Sequence, residues 1–243
     1  MILYLASDTG GAWDVDGVTS FKPLSEENGF VLNLKDDLDR TCQDTGKRKA
    51  LVIASDPEAY DANDKHMEMY TRAFEEADIK LKGMELLDGR TTKLAKKLDD
   101  YCLLFIIGGY APLQNRFFES IRLADEIINY DGIVMTMSAG SMNCAKTVYM
   151  IPEEPKDFSL SSQERFAPGL GLTSYNIIPH LQYIKTLEID GKNLVDDIIR
   201  EDSIGHDFIG LCDGSYFRIE DDDMNCMLYG EAYGISDGEI WKL

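Results

Sequence analysis

The chain has 243 residues, 44% of them hydrophobic, and carries 44 acidic against 24 basic side chains for a formal net charge of -20. That length suits one α/β domain, taken as residues 1–243, which can bury a core without disulfides or a structural metal. The charge argues against nucleic acid as a partner, because the short basic clusters Lys47-Arg48-Lys49 and Lys96-Lys97 sit beside acidic residues and cannot reverse the field.

In chain order, the opening run Met1 to Asp8 lacks a basic start and is too short in apolar residues for an export signal. Ile2 to Ala6, Ala50 to Ala54, Leu81 to Leu87, Cys102 to Ile107 and Ile133 to Met137 read as strands. Three of them are almost wholly apolar, as strands covered on both faces of a parallel sheet are. None approaches membrane-spanning length, so no membrane role is expected. Between them, Asp64 to Ala77 and Leu113 to Ile128 repeat apolar residues at three- and four-residue spacing, with Pro112 suited to a first helical turn. This alternation predicts a doubly wound, mostly parallel α/β sheet flanked by helices.

After Ile151 the pattern changes. Pro152 to Gly171 is polar and reads as loop; its 152–168 portion is long enough for a lid but is read as ordinary surface. One more helix is expected near Lys192 to Arg200, followed by short strands with turns at Asp213-Gly214, Tyr233-Gly234 and Asp237-Gly238. The five cysteines (42, 102, 144, 212 and 226) form no CxxC pair and fit a reducing cytoplasm. No HExxH or His/Cys cluster is present, so neither a metal nor another cofactor is expected.

Two strand ends carry unusual residues. Ile107 leads into Gly108-Gly109, a pair that allows backbone amides to face a ligand or simply makes a tight turn. Met137 leads into Ser138-Ala139-Gly140-Ser141 and a helix. A serine at a strand-to-helix elbow projects its hydroxyl above the sheet and sets the next amide at a helix start, although Thr136 stands where such elbows usually have glycine. Helix capping explains Ser138 equally well from the residues alone. Ser141 and Cys144 lie inside the helix and are weaker candidates. Of three histidines, His66 reads as surface and His206 as lying at a strand start. His180 sits at a strand end and is the best base. Asp213 or Glu153 would orient it. The run Asp8-Thr9-Gly10-Gly11 lacks the lysine and spacing of a phosphate loop, which disfavours a flavodoxin-like nucleotide binder.

Taken in order, Ile107-Gly108-Gly109, Met137-Ser138-Ala139-Gly140-Ser141, Ile178-Pro179-His180-Leu181 and Gly210-Leu211-Cys212-Asp213-Gly214 resemble the peptidase E family of serine dipeptidases. These are relatives of cyanophycinase with a class I glutamine amidotransferase-like fold. The second motif is similar to the family's Trp-Ser-Ala-Gly-Ala, the third to Asn-Pro-His-Phe and the fourth to Gly-Leu-Pro-Glu-Gly. The resemblance implies Ser138 as nucleophile, His180 as base, Asp213 as acid, an oxyanion hole from the amides of Gly109 and Ala139, and a short peptide as substrate. A cysteine-dependent amidotransferase is disfavoured, since the elbow is serine and Gln182 replaces the glutamate of His-x-Glu. Leu194 stands where aspartyl-specific members have arginine, with Lys185 and Lys192 as possible substitutes, so aspartyl specificity does not carry across. The alternative is a catalytically inactive binding module. Either would be a monomer or homodimer in the cytoplasm.

Overall fold

A computed structural model describes residues 1–15, 17–43, 46–153, 157, 159–221 and 223–243. Its strands form where successive apolar residues can be divided between two cores, because side chains alternate across a pleated strand. Ile2, Tyr4 and Ala6 enter one core with Ala50, Val52, Leu103, Phe105, Ile133 and Met135. Leu3 and Leu5 enter the other with Leu51, Ile53, Leu104, Ile106 and Val134.

These strands build a seven-stranded sheet in the order Cys226–Tyr229, Tyr216–Glu220, Ile2–Ala6, Ile133–Met137, Leu103–Ile106, Ala50–Ile53, Met84–Leu87. The five from Ile2–Ala6 onward are parallel, and Tyr216–Glu220 pairs antiparallel with both Ile2–Ala6 and Cys226–Tyr229. Helices Phe30–Thr41 and Tyr60–Glu76 cover the first core through Phe30, Leu34, Leu38, Tyr70 and Phe74. Helices Ala111–Ser120 and Leu123–Ile127 cover the second through Phe117, Phe118, Leu123 and Ile127. A four-stranded sheet, Asn176–Ile178, Asp207–Leu211, Ala232–Ser236 and Glu239–Lys242, adds Ile177, Leu211 and Ala232 to that second core. No helix among the described residues is long and apolar enough to cross a membrane.

Local expectations are corrected in five places. The helix expected over 113–128 breaks at Arg122, which takes a left-handed φ of 54° and lets Leu123 and Ile127 turn fully inward. The strand expected from Leu81 begins only at Met84. The helix expected over 192–200 starts as a Lys192–Asn193 strand; the Asn193 side chain then accepts the amides of Val195 and Asp196 and opens a wide helical turn over Leu194–Ile199. Tyr233-Gly234, expected to turn, lies within Ala232–Ser236. Its glycine is required because a Cβ there would meet the Trp241 ring at 2.4 Å. The stretch after Ile151 holds a short strand, Phe166–Pro168, paired with Thr147–Tyr149; residues 154–156 and 158 of the 152–168 segment lie outside the described residues.

One polar cluster ties the first helix to the sheet. Arg218 on Tyr216–Glu220 donates to both carboxylate oxygens of buried Asp37 at 2.7 Å, and Tyr4 and Arg40 donate to the same carboxylate. Burial alone would raise the Asp37 pKa, but the Arg218, Tyr4 and Arg40 hydrogen bonds outweigh it and hold the group below the usual carboxylate range. A carboxylate depressed in the folded state stabilises the fold fully above its unfolded pKa of about 3.9 and loses that contribution as pH falls through the folded value. Arg218→Ala, which leaves a buried carboxylate without its bidentate partner, is expected to cost about 3 kcal/mol in urea unfolding at pH 7. Asp37→Asn should flatten the loss of stability on the acid side.

Candidate active site

The carboxyl ends of three adjacent parallel strands converge on one cleft. Ser138 follows Ile133–Met137 at φ 51° and ψ -121°, a conformation that non-glycine residues adopt only where surroundings enforce it. Its N–H donates to the carbonyls of Ala6 and Ser7 at 3.0 and 3.2 Å, which fixes the elbow to the neighbouring strand. The hydroxyl makes no capping bond to the helix Ala139–Asn143 that follows. Gly140 is small because a Cβ would meet the Ile106 carbonyl at 2.4 Å. Thr136, in place of the usual elbow glycine, donates to the Tyr4 carbonyl at 2.7 Å inside the protein. Ser141 is fully buried with its oxygen 2.7 Å from the Ala6 carbonyl, and burial pushes the Cys144 thiol pKa up, so neither competes as a nucleophile.

His180 follows Asn176–Ile178 and also holds a left-handed φ, 55°. Its Nε2 lies 3.0 Å from Ser138 Oγ and its Nδ1 2.6 Å from Asp213 Oδ1. An ionised carboxylate can only accept, so the proton sits on Nδ1 and the Nε2 lone pair faces the serine hydroxyl. The edge of Trp13 meets the imidazole at a centroid distance of 5.8 Å. Burial works against the charge on Asp213, but hydrogen bonds from His180 and Ser7, with the His180 charge and the Gln182 side chain, hold its pKa below the ordinary value. Asp213 therefore stays ionised through the neutral range.

Gly108 and Gly109 border Ser138. A Cβ on Gly108 would meet the Ser138 Cβ at 3.0 Å. Gly109 has a φ of 146°, and a Cβ there would lie 2.3 Å from Ser55 Oγ. Position 109 thus requires glycine, and a side chain at Gly108 would crowd Ser138. Ala139, the residue after the elbow, is 1% exposed.

Above this floor opens a cleft of about 710 Å³ walled by Trp13, Asp14, His66, Tyr70, Glu153 and Tyr183. His66 corrects an expectation. Far from lying on open surface, it faces this cleft and pairs through Nε2 with Asp14 Oδ2 at 2.8 Å. The signal is invisible in sequence because Asp14 reaches it from the hairpin Gly11–Val15/Val18–Lys22, which packs on the helix bearing His66. Glu153 lies in the cleft wall with its amide donating to Asp157; the group at His180 Nδ1 is Asp213. Leu194 is 2% exposed in a third core cluster and reaches no part of the cleft. Lys185 lies over the Tyr233 ring, and neither it nor Lys192 lines the cleft. The glycines after the first strand serve the fold: Gly10 donates to Asp8, and a Cβ on Gly11 would strike Tyr70 at 2.3 Å.

A solved structure from Listeria monocytogenes EGD-e, provisionally assigned as a peptidase E protein, is similar to this chain with a TM-score of 0.53. The likeness covers 100% of this chain and 97% of that one at 15% sequence identity, a level that shows the fold alone. No curated protein sequence matches. The model of peptidase family S51 matches residues 24–227, which spans the strand ends carrying Gly109, Ser138, His180 and Asp213. The chain belongs to peptidase family S51.

Proposed function

We propose that residues 1–243 act as one unit, a serine peptidase of short peptides, with Ser138 as nucleophile, His180 as general base and Asp213 as the orienting acid. The observation that carries this reading is the relay of hydrogen bonds from Ser138 Oγ through His180 to Asp213, 3.0 and 2.6 Å long, at the floor of an open cleft. His180 Nε2 takes the hydroxyl proton as Ser138 Oγ attacks the peptide carbonyl. Amides of Gly109 and Ala139 receive the oxyanion, a stabilisation of about 3–4 kcal/mol per donor in such sites. The tetrahedral intermediate then expels the amine, which leaves with the proton from His180. Water, deprotonated by the same imidazole, hydrolyses the acyl-enzyme and regenerates Ser138. Five free cysteines support a reducing, cytoplasmic setting. Among the described residues no lysine or arginine lines the cleft, so the substrate is not assigned to aspartyl peptides.

The test is hydrolysis of a dipeptide panel (Asp-X, Gly-X, Leu-X and β-linked Asp-Arg) by the native chain and by Ser138→Ala. Native turnover is expected with Asp-X the poorer substrate, and the variant should lose about 10⁴-fold or more of it. A native chain that cleaves nothing and resists serine-reactive phosphonates would sink the reading in favour of a binding module. Gly109→Ala, which forces a Cβ against Ser55 and displaces the amide, is expected to lower kcat about 10²- to 10³-fold. Adding Ser55→Gly should recover part of that loss.

A further inference from the structure

Ser7, which belongs to no motif, touches every member of the proposed triad. It follows the central strand Ile2–Ala6 and is completely buried. Its hydroxyl donates to Asp213 Oδ1 at 2.7 Å and its oxygen accepts the main-chain N–H of His180 at 2.8 Å. Its carbonyl accepts the N–H of Ser138 at 3.2 Å, and its own N–H donates to the Ser215 carbonyl at 3.1 Å. A hydroxyl has one hydrogen and two lone pairs, so the bond to the carboxylate and the bond from His180 are made together without conflict.

We infer that Ser7 is a positioning residue that clamps the His180 main chain to the Asp213 carboxylate, keeping the imidazole aligned on Ser138. The inference rests on the peptidase reading above for its consequence in turnover, while the clamp itself is a property of the fold. His180 holds a left-handed backbone that must be enforced from outside, and the Ser7 oxygen is the acceptor of its amide. Asp213 is 32% exposed in its side chain, so water competes for its oxygens unless a fixed donor holds one of them. The same hydroxyl meets both needs. Replacing it frees the His180 amide and lets the carboxylate rotate away from Nδ1.

The experiment compares the native chain with Ser7→Ala, which removes the hydroxyl, and Ser7→Thr, which keeps it. Ser7→Cys, close in shape but a poor donor, repeats the alanine comparison if alanine does not fold. Two readouts are taken: the downfield proton NMR resonance of the hydrogen between His180 Nδ1 and Asp213, and the rate of Ser138 labelling by a fluorophosphonate alongside kcat and KM on a cleaved dipeptide. Ser7→Ala is expected to lose the resonance to exchange with water and to slow labelling and kcat by about 10- to 100-fold. KM should stay within about twofold, and threonine should restore both readouts. A resonance retained in Ser7→Ala with native labelling overturns the inference. So does a native chain without the resonance, or a folded threonine variant no better than alanine. If the native chain shows a Ser7-dependent resonance but neither labels nor cleaves, the peptidase reading fails while the clamp stands.

Discussion

The placement of the strand Ile2–Ala6 between two ladders is the constraint on which the site depends. On one side it pairs in parallel with Ile133–Met137, and on the other antiparallel with Tyr216–Glu220. Ala6 is level with both Met137 and Tyr216, so the chain leaves the sheet toward Ser138 and enters it from Asp213 at the same height, beside Ser7. A slip of one residue in either ladder would turn every side chain of that strand to the opposite core. The two separate cores, one under helices Phe30–Thr41 and Tyr60–Glu76 and one under the second sheet, make that slip prohibitive. Packing far from the cleft thus sets distances inside it.

The site also carries backbone strain. Ser138 and His180 both lie at positive φ, and Gly109 occupies a region closed to other residues. Such conformations cost about 1–3 kcal/mol each at non-glycine positions. They are held by hydrogen bonds from the central strand end: Ser138 through the carbonyls of Ala6 and Ser7, His180 through the Ser7 oxygen. Strain and restraint come from neighbouring atoms, and the imidazole and the hydroxyl face each other at 3.0 Å.

Much of this was legible in the sequence, and the boundary has physical causes. The all-apolar strands announce a sheet covered on both faces, and they form it. Ser138, His180 and Asp213 were legible because each stands at the end of an apolar run beside a small or turn residue, and strand ends are where open α/β sheets place their ligands. Ser7 and the Asp14–His66 pair were not. Their meaning lies in partners 206 and 52 residues away, which only the register supplies. The helix break at Arg122 carries no glycine or proline to mark it. Gly234 was read as a turn because nothing local tells of the Trp241 ring that needs the space.

The hydrogen bond between Ser7 and Asp213 spans nearly the whole chain. Contacts of such separation form late, because the long loop between them must be closed before they contribute. A ribosome that has released the elbow and the His180 loop has still not delivered Asp213 or the Tyr216–Glu220 strand that sets its height. The hydrogen-bonded arrangement of Ser138, His180 and Asp213 therefore waits until synthesis is nearly complete. A chain cut between His180 and Asp207–Leu211 keeps Ser138 and His180 but loses both Asp213 and the strand that flanks Ile2–Ala6.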